Sequence, residues 1–183
     1  EGLDYIEQDK KIGLFIFFTG HKFKYIISKE PVYKSYAKFF ENKLENLEIN
    51  KITPQKILIF PDTRQAKKNI PKEVIKVIEN NLTTKGYTIE IAYFKNIPAS
   101  NSTKNEVINS KQLVYSNFKN LIQLIQQSDF ILGADSLPIH IAYLFKKPHY
   151  ILYPKGYTQQ FITPYAQIND RFGNFGTNNL DFL

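Results

Sequence analysis

Two polar stretches interrupt runs of apolar residues, and both carry side chains suited to holding an anion and a polyol. The first, PDTRQAKKNIP (61–71), supplies Thr63, Arg64, Lys67 and Lys68: one hydroxyl and three cations. The second, ADSLPIH (134–140), supplies Asp135, Ser136 and His140. Ser136 is expected to cap a helix by accepting a hydrogen bond from its first turn, with Pro138 inside that turn. The amides and dipole of such a terminus attract phosphate. Asp135 would repel a phosphate set directly against it, but would accept hydrogen bonds from sugar hydroxyls. Together the stretches point to a ligand with a diphosphate and a hydroxylated part. Taken singly, each has a plainer reading: Asp-Ser is a common cap, and an Arg-Lys-Lys loop is most often solvated surface.

The elements around them tip the balance. KILIF (56–60) has the length and β-rich character of a buried strand, and the polar loop follows it. Pro71 opens a helix whose apolar face is Val74, Ile75, Ile78 and Leu82, stopping near Gly86. YTIEIAYF (87–94) and QLVYS (112–116) read as strands, and Asn117 as the cap of a helix carrying Leu121, Ile122, Leu124 and Ile125. FILGA (130–134) is a strand and 137–146 a helix with a buried stripe of Leu137, Ile141, Leu144 and Phe145, leaving His140 at its border. HYILYP (149–154) is the next strand. Strands alternating with single helices predict a doubly wound, mostly parallel α/β sheet from about residue 52 onward. In such a sheet, ligands bind outside the carboxyl ends of the strands, where both polar stretches fall.

Upstream, residues 12–18 and 23–28 read as strands, a helix is expected from Pro31, and 50–55 reads as a linker. The tail from Lys155 shows no clear pattern. The chain opens with Glu1 and contains no Met, so it is expected to be a piece of a longer protein lacking its N-terminal part.

Composition narrows the chemistry. Cys is absent, which excludes disulfides, thiolate metal sites and cysteine catalysis. His21, His140 and His149 are too scattered for a zinc pattern, and no cofactor is expected. Neither GxGxxG nor GxxxxGK[ST] occurs, and GxSxG and HExxH are missing too. The formal charge of +7 suits nucleic acid, an anionic membrane or a phosphorylated small molecule. The lysines are dispersed, and no basic helix or RNA-recognition aromatic motif favours nucleic acid.

The run SNFKNLIQLIQQSDFILGADSLPIHIAYLFKKPHYILYPKG resembles the C-terminal half of family 9 glycosyltransferases, the lipopolysaccharide heptosyltransferase family. That family carries Asp-Ser/Thr-Gly-x-x-His-x-Ala between a strand and a helix, where this chain has Asp135 to Ala142 with Leu137 in place of the Gly. It carries Lys-x-Trp-Pro opening an earlier helix, where this chain has Ile70 in place of the Trp. Counting back from Pro71 selects Lys68, and counting forward from Thr63 and Arg64 selects Lys67. FITPY (161–165) resembles a later segment near the family's donor site.

The resemblance implies a GT-B type enzyme of two Rossmann-like halves. Residues 1–51 would be the truncated end of the acceptor domain with its linker, and 52–183 the donor-binding domain. Thr63, Arg64 and Lys67 or Lys68 would hold the diphosphate of a nucleotide sugar, typically ADP-heptose. Ser136 with the backbone around Leu137 would bind phosphate, Asp135 the sugar, and His140 would brace the loop or touch the donor. Glu106 would contact the nucleoside. A lipid-linked saccharide acceptor, a catalytic base upstream of Glu1, and a cytoplasmic place beside the anionic inner membrane complete the expectation. The alternative on the same fold is a non-catalytic nucleotide- or sugar-phosphate-binding domain.

Overall fold

The computed structural model describes residues 3–9, 12–19, 22–27, 33, 54–95, 110–156 and 161–176. The chain forms two compact units, Glu1–Asn46 with Thr158–Pro164, and Leu47–Tyr157 with Tyr165–Leu183.

In the first unit, β1 (Leu3–Asp9), β2 (Ile12–Thr19) and β3 (Lys22–Ile27) make an antiparallel sheet in chain order. β2 and β3 fall on the two expected strands. β1 was not anticipated, because acids at 4, 7 and 9 break its apolar pattern, and its pairing shifts register between Glu7 and Asp9. Apart from Tyr33, which is helical, the helix expected from Pro31 lies outside the described residues.

The second unit is built on a six-stranded sheet from β4 (Lys56–Phe60), β5 (Thr88–Phe94), β6 (Lys111–Tyr115), β7 (Phe130–Ala134), β8 (His149–Tyr153) and β9 (Phe172–Asn174). Its order is β6-β5-β4-β7-β8-β9 and every pairing is parallel. Counted from β4, this is the 3-2-1-4-5-6 order of the Rossmann fold. The chain winds outward from β4 to β6, then returns to β7 on the other side of β4. The crevice between β4 and β7 is therefore the switch point where such sheets bind ligands.

Helices α1 (Lys72–Thr84), α2 (Phe118–Gln126), α3 (Leu137–Leu144) and α4 (Pro164–Ile168) follow strands of the unit. α1 buries Ile75, Ile78 and Leu82 as its periodicity predicts. It stops where Gly86 takes φ +88, donating its amide to Thr83 O while Tyr87 donates to Leu82 O. The Asn117 side chain caps α2, accepting from the Asn120 amide at 2.9 Å. Continuous apolar strands supply the centre of the core, with Ile57, Ile59, Ile91 and Leu132 fully buried.

α3 departs from expectation. Leu137, Leu144 and Phe145 are 56%, 69% and 40% exposed, while Pro138, Ile139, Ile141, Ala142 and Tyr143 are buried. The helix is apolar nearly all round, so periodicity alone could not choose its face. The choice is made at Gly133 on β7: a Cβ there would lie 3.1 Å from Phe60 O and 3.2 Å from Ile139 Cδ1. Ile139 fills the space that the missing side chain leaves, and the stripe rotates accordingly.

Candidate active site: the crevice between β4 and β7

The loop after β4 is closed by its own backbone. Ile70 N donates to Pro61 O at 2.9 Å, and the Ile70 side chain is buried in the core. Thr63 N donates to Asn69 Oδ1 at 2.8 Å; the Thr63 hydroxyl donates to Gln65 O at 2.6 Å and accepts from Gln65 N at 3.0 Å. Thr63 thus spends its hydroxyl shaping the loop. Within it Ala66–Lys68 form a single 3₁₀ turn. At three residues per turn, neighbouring side chains diverge by about 120°, so Lys67 and Lys68 cannot face the same way. Lys67 is exposed and Lys68 points inward.

The inward lysine meets the second loop. Lys68 Nζ lies 2.8 Å from Asp135 Oδ2, with both side chains largely buried, and His140 Nε2 lies 3.6 Å from Asp135 Oδ1. Burial by itself would raise the Asp135 pKa; the adjacent His140 imidazole and Lys68 ammonium outweigh it and hold the carboxyl below its ordinary value. The pair joins the residues following β4 to those following β7, straight across the switch point.

The start of α3 corrects one expectation. Ser136 occupies the cap position, but its hydroxyl makes no capping bond and donates instead to Ala134 O at 3.1 Å. The cause lies in the next residues: Pro138 has no amide, and the Ile139 amide is taken by Ser136 O at 3.1 Å. Leu137, the first residue of α3, keeps its side chain exposed.

A cavity of about 620 Å³ runs from this pair along the carboxyl edge of the sheet. Thr63, Arg64, Lys68, Asp135, Ser136 and Leu137 all line it. Lys67 and His140 do not line it, and Glu106 lies outside the described residues. Its far wall was not foreseen: Phe94 at the end of β5, Tyr115 at the end of β6, and Phe118 and Leu121 on α2. The available signal was their position, since each ends a strand, or lies near the start of the helix that follows one, on the same edge as the two polar loops. Asp62 also lines the cavity, and burial raises its pKa. Burial, then the nearby Asp62 charge, pushes Tyr115 up to about 12. Burial, Asp62 and Glu79 do the same for Tyr93.

This strand order, with a cavity of small-molecule size at its switch point that meets polar loops on one side and aromatic and apolar side chains on the other, defines a Rossmann-like α/β domain. The family profile described as glycosyltransferase family 9 (heptosyltransferase) matches residues 28–180. The chain belongs to that family. No curated protein sequence matches it significantly.

Among solved structures, Escherichia coli heptosyltransferase WaaC with ADP is similar at TM-score 0.51 and 11% identity, over 77% of this chain and 47% of that one. WaaC with ADP-2-deoxy-2-fluoro heptose gives 0.47 and 12%, over 69% and 45%. Escherichia coli ADP-heptose lps heptosyltransferase II gives 0.48 and 16%, over 85% and 46%. The chain thus spans less than half the length of each.

Proposed function

We propose that this chain is the nucleotide-sugar donor-binding half of a GT-B, inverting glycosyltransferase of lipopolysaccharide or lipooligosaccharide assembly. The reaction moves a heptose-like sugar from a nucleoside diphosphate to a hydroxyl of a lipid-linked acceptor. The observation that carries this reading is the Lys68–Asp135 pair across the switch point, facing an aromatic wall in one cavity. A diphosphate is placed against Lys68 and Arg64, the sugar beside Asp135, and the base against Tyr115 and Phe118.

As the acceptor oxygen attacks the anomeric carbon and the bond to the diphosphate breaks, negative charge grows on the leaving group. A lysine already held in position stabilises that charge without reorganising. In this reading, a base from another part of the protein takes the acceptor proton. Among the described residues no helix is long and apolar enough to cross a membrane, and the +7 charge suits work on the cytoplasmic side against an anionic leaflet.

The ADP held by WaaC makes ADP the first probe. Calorimetric titration of the full chain with ADP, UDP, GDP and CMP tests the reading: selective binding of one nucleoside diphosphate supports it, and binding of none overturns it. One observation favours the second reading, a non-catalytic nucleotide- or sugar-phosphate-binding domain. With Pro138 lacking an amide and Ile139 using its own, the α3 terminus offers phosphate fewer donors than an open helix end. A transfer assay that stays silent while nucleotide binds would favour it.

A further inference from the structure

Parallel strands in register set their last residues, and those just beyond shorter neighbours, in a row. In the order β6, β5, β4, β7, that row reads Tyr115, Phe94, Asp62, Asp135. Three strand spacings, roughly 14 Å, separate its ends, about the reach of an extended nucleoside diphosphate. Of the two carboxylates, Asp135 is engaged with Lys68 and His140. Asp62 makes no hydrogen bond or ion pair with any described residue, although it is half-buried in the cavity lining. Its charge is felt by Tyr93 and Tyr115, which places it on the aromatic side of the cationic end.

A desolvated carboxylate without a cation is a strong acceptor with no donor to meet it. A phosphate cannot satisfy it, being another anion, and an apolar base edge offers too little. A pair of hydroxyls can. Between a diphosphate at Lys68 and a base on the aromatic wall, the ligand group at this point of the row is the ribose.

We propose that Asp62 is a specificity-determining residue of this site, accepting the ribose hydroxyls of the bound nucleoside diphosphate and selecting it over the 2′-deoxy form. The inference rests on the donor-site reading and assigns the ribose to a residue outside the Lys68–Asp135–His140 cluster.

The test is a calorimetric comparison, on the full chain, of the tightest-binding member of ADP, UDP and GDP with its 2′-deoxy analogue. Asp62→Asn and Asp62→Ala are measured beside Lys68→Ala and Glu106→Gln, with thermal melts to check that each variant is folded. The wild type is expected to prefer the ribonucleotide at least tenfold. Asp62→Ala should reduce that preference to within about twofold, with Asp62→Asn intermediate, while Lys68→Ala weakens both ligands alike. A preference unchanged in Asp62→Ala, or lost in Glu106→Gln instead, overturns the assignment while leaving the donor site standing. A wild type that binds the nucleotide without preference also overturns it. If no nucleoside diphosphate binds, the donor-site reading falls and takes this inference with it.

Discussion

Lys68 and Asp135, 67 residues apart in sequence, meet at 2.8 Å and so tie the loop after β4 to the loop after β7. The contact places a cation at the sheet's switch point and fixes it with a carboxylate. Lys68→Ala should weaken nucleoside diphosphate binding by tenfold or more, the scale of a lost charge-assisted hydrogen bond. Lys67→Ala should change it less than twofold, because Lys67 is exposed and does not line the cavity. Parallel calorimetric titrations of the two variants decide between the lysines.

The same substitution should lower stability. Removing Lys68 leaves a largely buried Asp135 carboxylate with the His140 imidazole, 3.6 Å away, beside it. A loss of about 1–3 kcal/mol is expected by urea denaturation, and most of it should be recovered in the double variant Lys68→Ala/Asp135→Ala.

Stability should fall with acid in two windows. His149 is fully buried, its Nδ1–H donates to Lys147 O at 2.8 Å, and its ring packs between Tyr143 and Tyr165. Burial lowers its pKa from 6.5 to about 4. Between those values the unfolded chain takes up a proton that the folded chain refuses. Stability is therefore complete above 6.5 and declines by about 3 kcal/mol as pH falls to about 4. Denaturation of His149→Phe across that range should be nearly flat. The Asp135 carboxyl, held below 3.8, contributes a further loss only at more acid pH, below its ordinary value.

Phe118 is 58% exposed and lines the cavity, so its truncation should cost the fold little. If the nucleobase stacks there, Phe118→Ala weakens nucleotide binding by roughly 1–3 kcal/mol. Calorimetry set beside the melting temperature separates the two effects. Equal binding by the variant would place the base elsewhere.

Gly133→Ala tests what orients α3. The added methyl would sit 3.1 Å from a backbone oxygen within the sheet and 3.2 Å from Ile139, and neither can retreat freely. A destabilisation of about 1–3 kcal/mol is expected in urea denaturation.

The sequence alone determined the strand-and-helix alternation of the second unit, the parallel winding it requires, and the two polar loops at one edge. These are legible because continuous apolar strands, Pro71 before α1, Gly86 after it and the Asn117 cap act over a few residues. Tertiary structure decided the rest. Which of two adjacent lysines enters the site depends on a 3₁₀ turn and on a carboxylate far along the chain. α3 carries apolar residues on every side, so its buried face was set by the gap above Gly133. Ser136 lost its capping role to the backbone geometry around Pro138. The aromatic wall of the cavity exists only once β5, β6 and α2 are brought beside β4. Local signals travel with the chain, whereas a site is made of residues that meet only when the sheet is assembled.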